Sequence, residues 1–210
     1  MSDLPNGANA ARRCKTDIRI NVLARRRSLP ATLRSTAAGR VQAGLADLVR
    51  QHRPRTVTAY VPVGSEPGGP DLPEFLLAAL ATTGVSRPRL LLPVLCPDLD
   101  LDWAEYAGSE PLVAAGRGLR EPAGPRLGPA AVGAADLVVV PAVAVDRRGF
   151  RLGRGGGSYD RALARVAPAT LTVALLHDGE LLDLVPAEEH DRPVRVVITP
   201  GDGVRALPAD

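Results

Sequence analysis

The stretch "ADLVVVPAVAVD", Ala135–Asp146, is a continuous apolar run bracketed by Asp136 and Asp146. A strand with one wet face alternates apolar and polar side chains. A run without alternation marks a strand buried on both faces, as in a parallel sheet covered by helices. The neighbouring segments agree. "TVTAYVPV" (Thr56–Val63), "PRLLLPVL" (Pro88–Leu95), "TLTVALL" (Thr170–Leu176) and "VRVVIT" (Val194–Thr199) are short β-branched or leucine-rich runs and read as strands. "LDLDWAEY" (Leu99–Tyr106) reads as a short strand turning outward. Between them fall helical patterns. Lys15–Arg27 sets Ile18 and Val22 on one face and crowds Arg25, Arg26 and Arg27 at the negative end of the helix dipole. Ser35–His52 spaces Val41, Leu45 and Leu48 helically, with Ser35 as its expected cap. Asp71–Gly84 and Ser158–Val166 complete the set, and the Gly- and Pro-rich Ala107–Ala135 is expected to wander over the surface. Strands alternating with helices imply crossovers. The fold class expected is α/β: a three-layer α/β/α sandwich with a mostly parallel sheet. Residues 1–13 are expected to form a flexible tail, 14–200 a single domain, and 201–210 a second tail.

A chain of 210 residues with 45 % apolar composition can bury a sizeable core, and 3 % aromatics leave that core to Leu, Val and Ala. The apolar segments are too short for a membrane span. With 26 basic and 23 acidic residues the formal charge is only +3, and arginine dominates the basic side. That balance favours anionic small molecules over nucleic acid, because the guanidinium fork matches phosphate and carboxylate and no aromatic interleaving accompanies it. Cys14 and Cys96 form no CxxC, no apolar leader precedes them, and His52, His177 and His190 lack zinc spacing. The expectation is a cytoplasmic monomer with reduced thiols.

Immediately after the apolar run stands "RLGRGGGSYDRAL", Arg151–Leu163. Glycine reaches positive φ and keeps Cβ out of a ligand's way. Gly153, Gly155, Gly156 and Gly157 therefore permit a nest of backbone N–H groups, a helix start follows at Ser158, and Arg151 and Arg154 add charge. The spacing is neither GxGxxG nor a Walker loop, since Ser158 and Asp160 stand where glycine is needed and no GK[ST] occurs. Two readings remain at this level: a phosphate cradle, or a tight connection that merely requires glycine.

The order of motifs narrows the choice. "VVVPAVAVDRRG" followed by "RLGRGGGSYDRALA" resembles the C-terminal signature of the 5-formyltetrahydrofolate cyclo-ligases. "KTDIR", "YVPVGSEPGG", "LLLPVL", "LDWAEY", "GLREP" and "EEHDRPVRVVIT" are similar to further pieces of that family, in order, from Lys15 to Thr199. The resemblance implies a fold shared with sugar-phosphate isomerases and coenzyme A transferases. It implies closure of 5-formyltetrahydrofolate to 5,10-methenyltetrahydrofolate with ATP as co-substrate and Mg²⁺ as cofactor. By the same resemblance Lys15 and Arg19 are nucleotide contacts, together with Arg151, Leu152, Gly153, Arg154, Gly155, Gly156, Gly157, Ser158 and Tyr159. Val61, Glu66, Arg154, Gly155, Gly156, Gly157 and Ser158 are folate contacts, Arg154 and Glu66 carry the chemistry, and Asp160 and Asp191 attend the Mg²⁺. Trp103 and Tyr106 are either stacking surface for the folate or core. Three departures are visible: Ser158 replaces an aromatic residue and is expected to cap the helix, Gly69 replaces a threonine, with Asp71 left to cap, and Arg195 stands where some members carry an acid. The alternatives are a non-catalytic folate- or nucleotide-binding module and an unrelated sugar-phosphate enzyme on the same fold. The joint presence of Lys15, Glu66, Arg154 and Asp160 favours the enzyme.

Overall fold

The computed structural model describes residues 4–188 and 191–208. Helices α1 (Leu4–Ser28) and α2 (Ala31–His52) lead into strand β1 (Thr56–Thr58) and helix α3 (Leu72–Ala81). Strands β2 (Arg89–Leu95) and β3 (Leu101–Glu105) follow, then a small hairpin of β4 (Val113–Ala114) and β5 (Arg120–Glu121). A 3₁₀ segment at Pro129–Ala134 precedes β6 (Leu137–Pro141), β7 (Ala144–Asp146) and β8 (Arg151–Leu152). Helix α4 (Ser158–Ala164), β9 (Leu171–Leu175), β10 (Leu181–Leu182), β11 (Val196–Thr199) and β12 (Gly203–Ala206) complete the chain.

The main sheet has seven strands in the order β12-β11-β9-β6-β1-β2-β3. Its inner pairs are parallel, and only the edge strands β3 and β12 run antiparallel. Strand residues alternate between two apolar layers. Val57, Leu90, Val139 and Ile198 pack under Leu45 of α2 and Leu76 of α3. Leu91, Val138, Val140 and Val197 pack on the other face with Val132 and with Ala162 and Leu163 of α4. This is the expected three-layer arrangement.

Several local expectations are corrected. The run at 135–146 is buried on both faces but is two strands, β6 in the main sheet and β7 in a small sheet with β8 and β10. Pro141 lacks the N–H that would extend the ladder, so the chain departs there. Helix α2 starts at Ala31, with Pro30 as its N-cap and the Arg34 N–H on the Pro30 carbonyl, so Ser35 is not the cap. Residues 4–13 continue α1 rather than trailing as a tail, consistent with proline in the first turn and an alanine-rich sequence. Residues 203–206 pair with β11 through Ile198↔Val204, so the expected second tail holds a strand. The outer parts of both expected tails, residues 1–3 and 209–210, lie outside the described residues, as does His190. Among the described residues no helix is long and apolar enough to cross a membrane.

Candidate active site

Strand β1 has β2 on one side and β6 on the other. Crossovers therefore leave it in opposite directions, and a crevice opens beyond the carboxyl ends of these strands. A cavity of about 390 Å³ occupies that place. Its wall contains every site residue expected from sequence: Lys15, Arg19, Val61, Glu66, the segment Arg151–Asp160 and Asp191. They arrive from separate parts of the chain: α1, the segment after β1, the β8–α4 loop and the segment before β11.

The glycine loop owes its shape to backbone freedom. Gly155 has φ 98° and Gly157 φ 69°, where a Cβ is disfavoured. Gly157 is the N-cap of α4 and Ser158 is its first residue with no side-chain cap bond, which corrects the capping role expected of Ser158. Helix α4 spans only seven residues. The local N–H groups and the arginines therefore matter more here than a long macrodipole. Arg19 Nε donates to the Gly153 carbonyl at 2.8 Å, so α1 holds one end of the loop.

Charges are paired across the cavity. Arg154 Nη2 lies 3.0 Å from Glu66 Oε1, and Glu66 Oε2 accepts the Val63 N–H at 2.9 Å. Arg151 Nη2 donates to Asp160 Oδ1 at 2.6 Å. Burial pulls the Arg151 guanidinium below its ordinary pKa, while the nearby Asp160 and Asp191 carboxylates push back. Lys15 Nζ sits 2.9 Å from Glu188 and 3.9 Å from Asp191. Burial, reinforced by Glu66, raises the phenols of Tyr60 and Tyr159 well above the ordinary value. The Tyr159 hydroxyl and Arg151 Nε are buried without a hydrogen-bond partner among the described residues. Such orphans are uncommon, and two on one cavity wall are what a bound ligand would satisfy. Thr58 Oγ1 and Trp103 Nε1 share that condition away from the cavity.

Trp103 and Tyr106 are core residues, not a stacking platform. Trp103 is 1 % exposed, and the Tyr106 hydroxyl donates to Glu74 at 2.7 Å. Asp71 heads α3 without a side-chain cap bond; its Oδ1 accepts from Gln42 instead. Gly69 has φ 77°, and a Cβ there would lie 2.9 Å from Asp71 Oδ1, so the departure from threonine has a steric reason. Sequence reasoning missed Tyr60, Leu99, Arg117 and the Pro141–Val143 bend, all on the cavity wall. Tyr60 was hidden inside an apparent strand, and the bend had only Pro141 as its signal.

The fold and cleft define an α/β protein with an arginine-bearing glycine loop facing Glu66 across the switch point of a parallel sheet. A model of the 5-formyltetrahydrofolate cyclo-ligase family matches residues 11–200. The 5-formyltetrahydrofolate cyclo-ligase of Mycolicibacterium smegmatis is 44 % identical over 200 residues, covering 93 % of this chain and 98 % of the relative. The 5,10-methenyltetrahydrofolate synthetase of Aquifex aeolicus has a similar structure, with TM-score 0.76 and 28 % identity over 93 % of this chain and 94 % of that one. The corresponding synthetase of Mycoplasma pneumoniae, at TM-score 0.66 and 18 % identity over 87 % and 96 % of the two chains, shares the fold. The chain belongs to the 5-formyltetrahydrofolate cyclo-ligase family.

Proposed function

We propose that this cleft converts 5-formyltetrahydrofolate to 5,10-methenyltetrahydrofolate, with ATP giving ADP and phosphate. The formyl carbonyl is bound to nitrogen and is a poor electrophile. Phosphorylation of its oxygen by ATP makes that oxygen a leaving group. N10 then attacks the formyl carbon, the five-membered ring closes, and phosphate departs. The protein's part is to position the reactants and neutralise charge on the phosphoryl group in flight.

The observation that carries this reading is the Arg154–Glu66 pair, which joins the glycine cradle to the opposite wall at 3.0 Å. A phosphoryl group in the cradle and a folate on Glu66 would meet where the two side chains now meet. Arg154 would exchange Glu66 for the transferring phosphoryl oxygens. Glu66, released, would accept N–H bonds from the pterin, with Val61 beside it. The N–H groups of Gly153–Ser158 would hold the phosphates, with Arg151 and Tyr159 beneath, while Arg19 braces the loop and Lys15 lies at its rim.

Asp160 and Asp191 suit Mg²⁺, which takes one or two carboxylates and completes its shell with phosphate oxygens and water. Both line the cavity and both act on Arg151, and no group of three ligating side chains occurs among the described residues. When bound, the ion would screen the nucleotide's phosphates. The test is incubation of the protein with 5-formyltetrahydrofolate, ATP and Mg²⁺, followed by ultraviolet absorbance of the methenyl product. An ATP-dependent rise that EDTA abolishes supports the reading, and a flat trace with ATP present refutes it.

A further inference from the structure

The loop bearing Glu66 is held from beneath by three buried side chains: His177, Gln42 and Tyr60, which are 6 %, 7 % and 3 % exposed. Each uses a polar atom on a main-chain carbonyl beside Glu66. His177 Nε2 meets the Ser65 oxygen at 3.1 Å, the Tyr60 hydroxyl donates to the Pro67 oxygen at 2.6 Å, and Gln42 Nε2 donates to the Gly68 oxygen at 2.8 Å. The braces come from three places: the residue segments just after β9 and β1, and helix α2. A carbonyl only accepts, so the contact at Ser65 selects the imidazole form with its proton on Nε2.

His177 is itself fixed. Its backbone N–H donates to Glu180 Oε2 at 2.8 Å. Glu180 is 1 % exposed and is gripped by Arg26 through Nε at 2.8 Å and Nη2 at 2.7 Å. Arg26 also donates to the Ala142 carbonyl at 2.7 Å, at the bend between β6 and β7. A buried ion pair of this kind is weak evidence for stability, because apolar residues of similar volume often serve as well. The loop it supports has the opposite tendency: Gly64, Gly68 and Gly69 all sit at positive φ, and such a segment is loose unless held.

The geometry points to His177, backed by Glu180 and Arg26, as a positioning residue that holds the Glu66 carboxylate ready for the folate. The inference rests on the reading of Glu66 as a folate contact. The His177 ring is outside the cavity wall and meets the Glu66 loop directly, whereas Arg26, which backs it through Glu180, lines the wall.

His177→Leu fills the volume without a donor, whereas His177→Gln keeps an N–H near the position of Nε2. Both are compared with the unaltered protein by calorimetric binding of 5-formyltetrahydrofolate without ATP, and by kinetics varying each substrate, well below the melting temperatures. The expected result for His177→Leu is a five- to tenfold weaker folate Kd and higher folate KM, about the effect of one lost hydrogen bond, with KM for ATP unchanged. His177→Gln recovers most of the loss. Equal shifts for both substrates, no shift, or a glutamine variant no better than leucine overturns the inference. An unaltered protein that binds folate but makes no methenyl product refutes the cyclo-ligase reading alone, because the binding comparison still decides the role of His177. One that does neither refutes both.

Discussion

Replacing Arg154 by alanine separates transition-state charge stabilisation from substrate binding. Its side chain is 56 % exposed and its Glu66 partner 12 % exposed. At that exposure solvent screens the pair, which contributes about 0–1 kcal/mol to folding. The melting temperature should therefore fall by no more than about 4 °C in a chain of this size. Catalysis should respond far more. A fixed donor aimed at charge that appears only in the transition state is worth about a hundred- to a thousandfold in kcat, or about 2.7–4 kcal/mol. The assay is the initial rate of methenyl absorbance with folate and ATP varied in turn. The expected pattern is a large loss in kcat with a small change in folate KM, and Arg154→Lys intermediate because it keeps charge but loses the fork. A rise in folate KM with kcat intact would refute the reasoning, because it would make Arg154 a ground-state contact.

Asp160→Ala deprives the Arg151 side chain, 4 % exposed, of its 35 % exposed partner at 2.6 Å, while Asp191 still faces the guanidinium; urea unfolding should show a loss of about 1–2 kcal/mol, the order of one charge-assisted hydrogen bond. Gly149→Ala should destabilise by roughly 3 kcal/mol in the same measurement, because φ is 93° and a Cβ would sit 2.4 Å from the Val194 carbonyl oxygen. Gly157→Ala meets only the flexible end of Arg161 at 3.0 Å; it should cost about 1–2 kcal/mol of left-handed strain and raise KM for ATP. Burial and a hydrogen bond to Glu74 push the Tyr106 phenol up to about 12. Above the unfolded value of 10.0 the native state keeps a proton that the unfolded chain has released, so stability falls as pH rises from 10.0 to about 12. Urea midpoints across that window should fall less steeply for Tyr106→Phe.

The alternation of strands and helices, the doubly buried run at 135–146 and the glycine density at 153–157 were legible in the sequence because each is a local physical constraint. Periodicity reports which faces are buried, and clustered glycine reports a backbone that needs positive φ or close approach. Part of the cavity wall was also legible, through the resemblance carried by ordered motifs: Lys15, Arg19, Val61, Glu66, residues 151–160 and Asp191. Less legible were boundaries that depend on partners. β1 is confined to Thr56–Thr58 although β-branched character extends further, and Tyr60 thereby falls at the cavity. The apolar run breaks at Pro141, where Arg26 from the first helix takes up the Ala142 carbonyl.

The sequence by itself determined the layered α/β fold, the position of the glycine loop after a buried strand, and the types of charge brought to it. Only the tertiary structure decided which charges face one another. Arg154 meets Glu66, Arg151 meets Asp160, and Arg26 meets Glu180 across separations of 88, 9 and 154 residues. The tertiary structure also made Trp103 a core residue and His177 a brace. The physical reason is one of range. Backbone preference and hydrophobic period act over a few neighbours, whereas a salt bridge or a buried hydrogen bond joins groups that only the closed sheet brings within 3 Å or so.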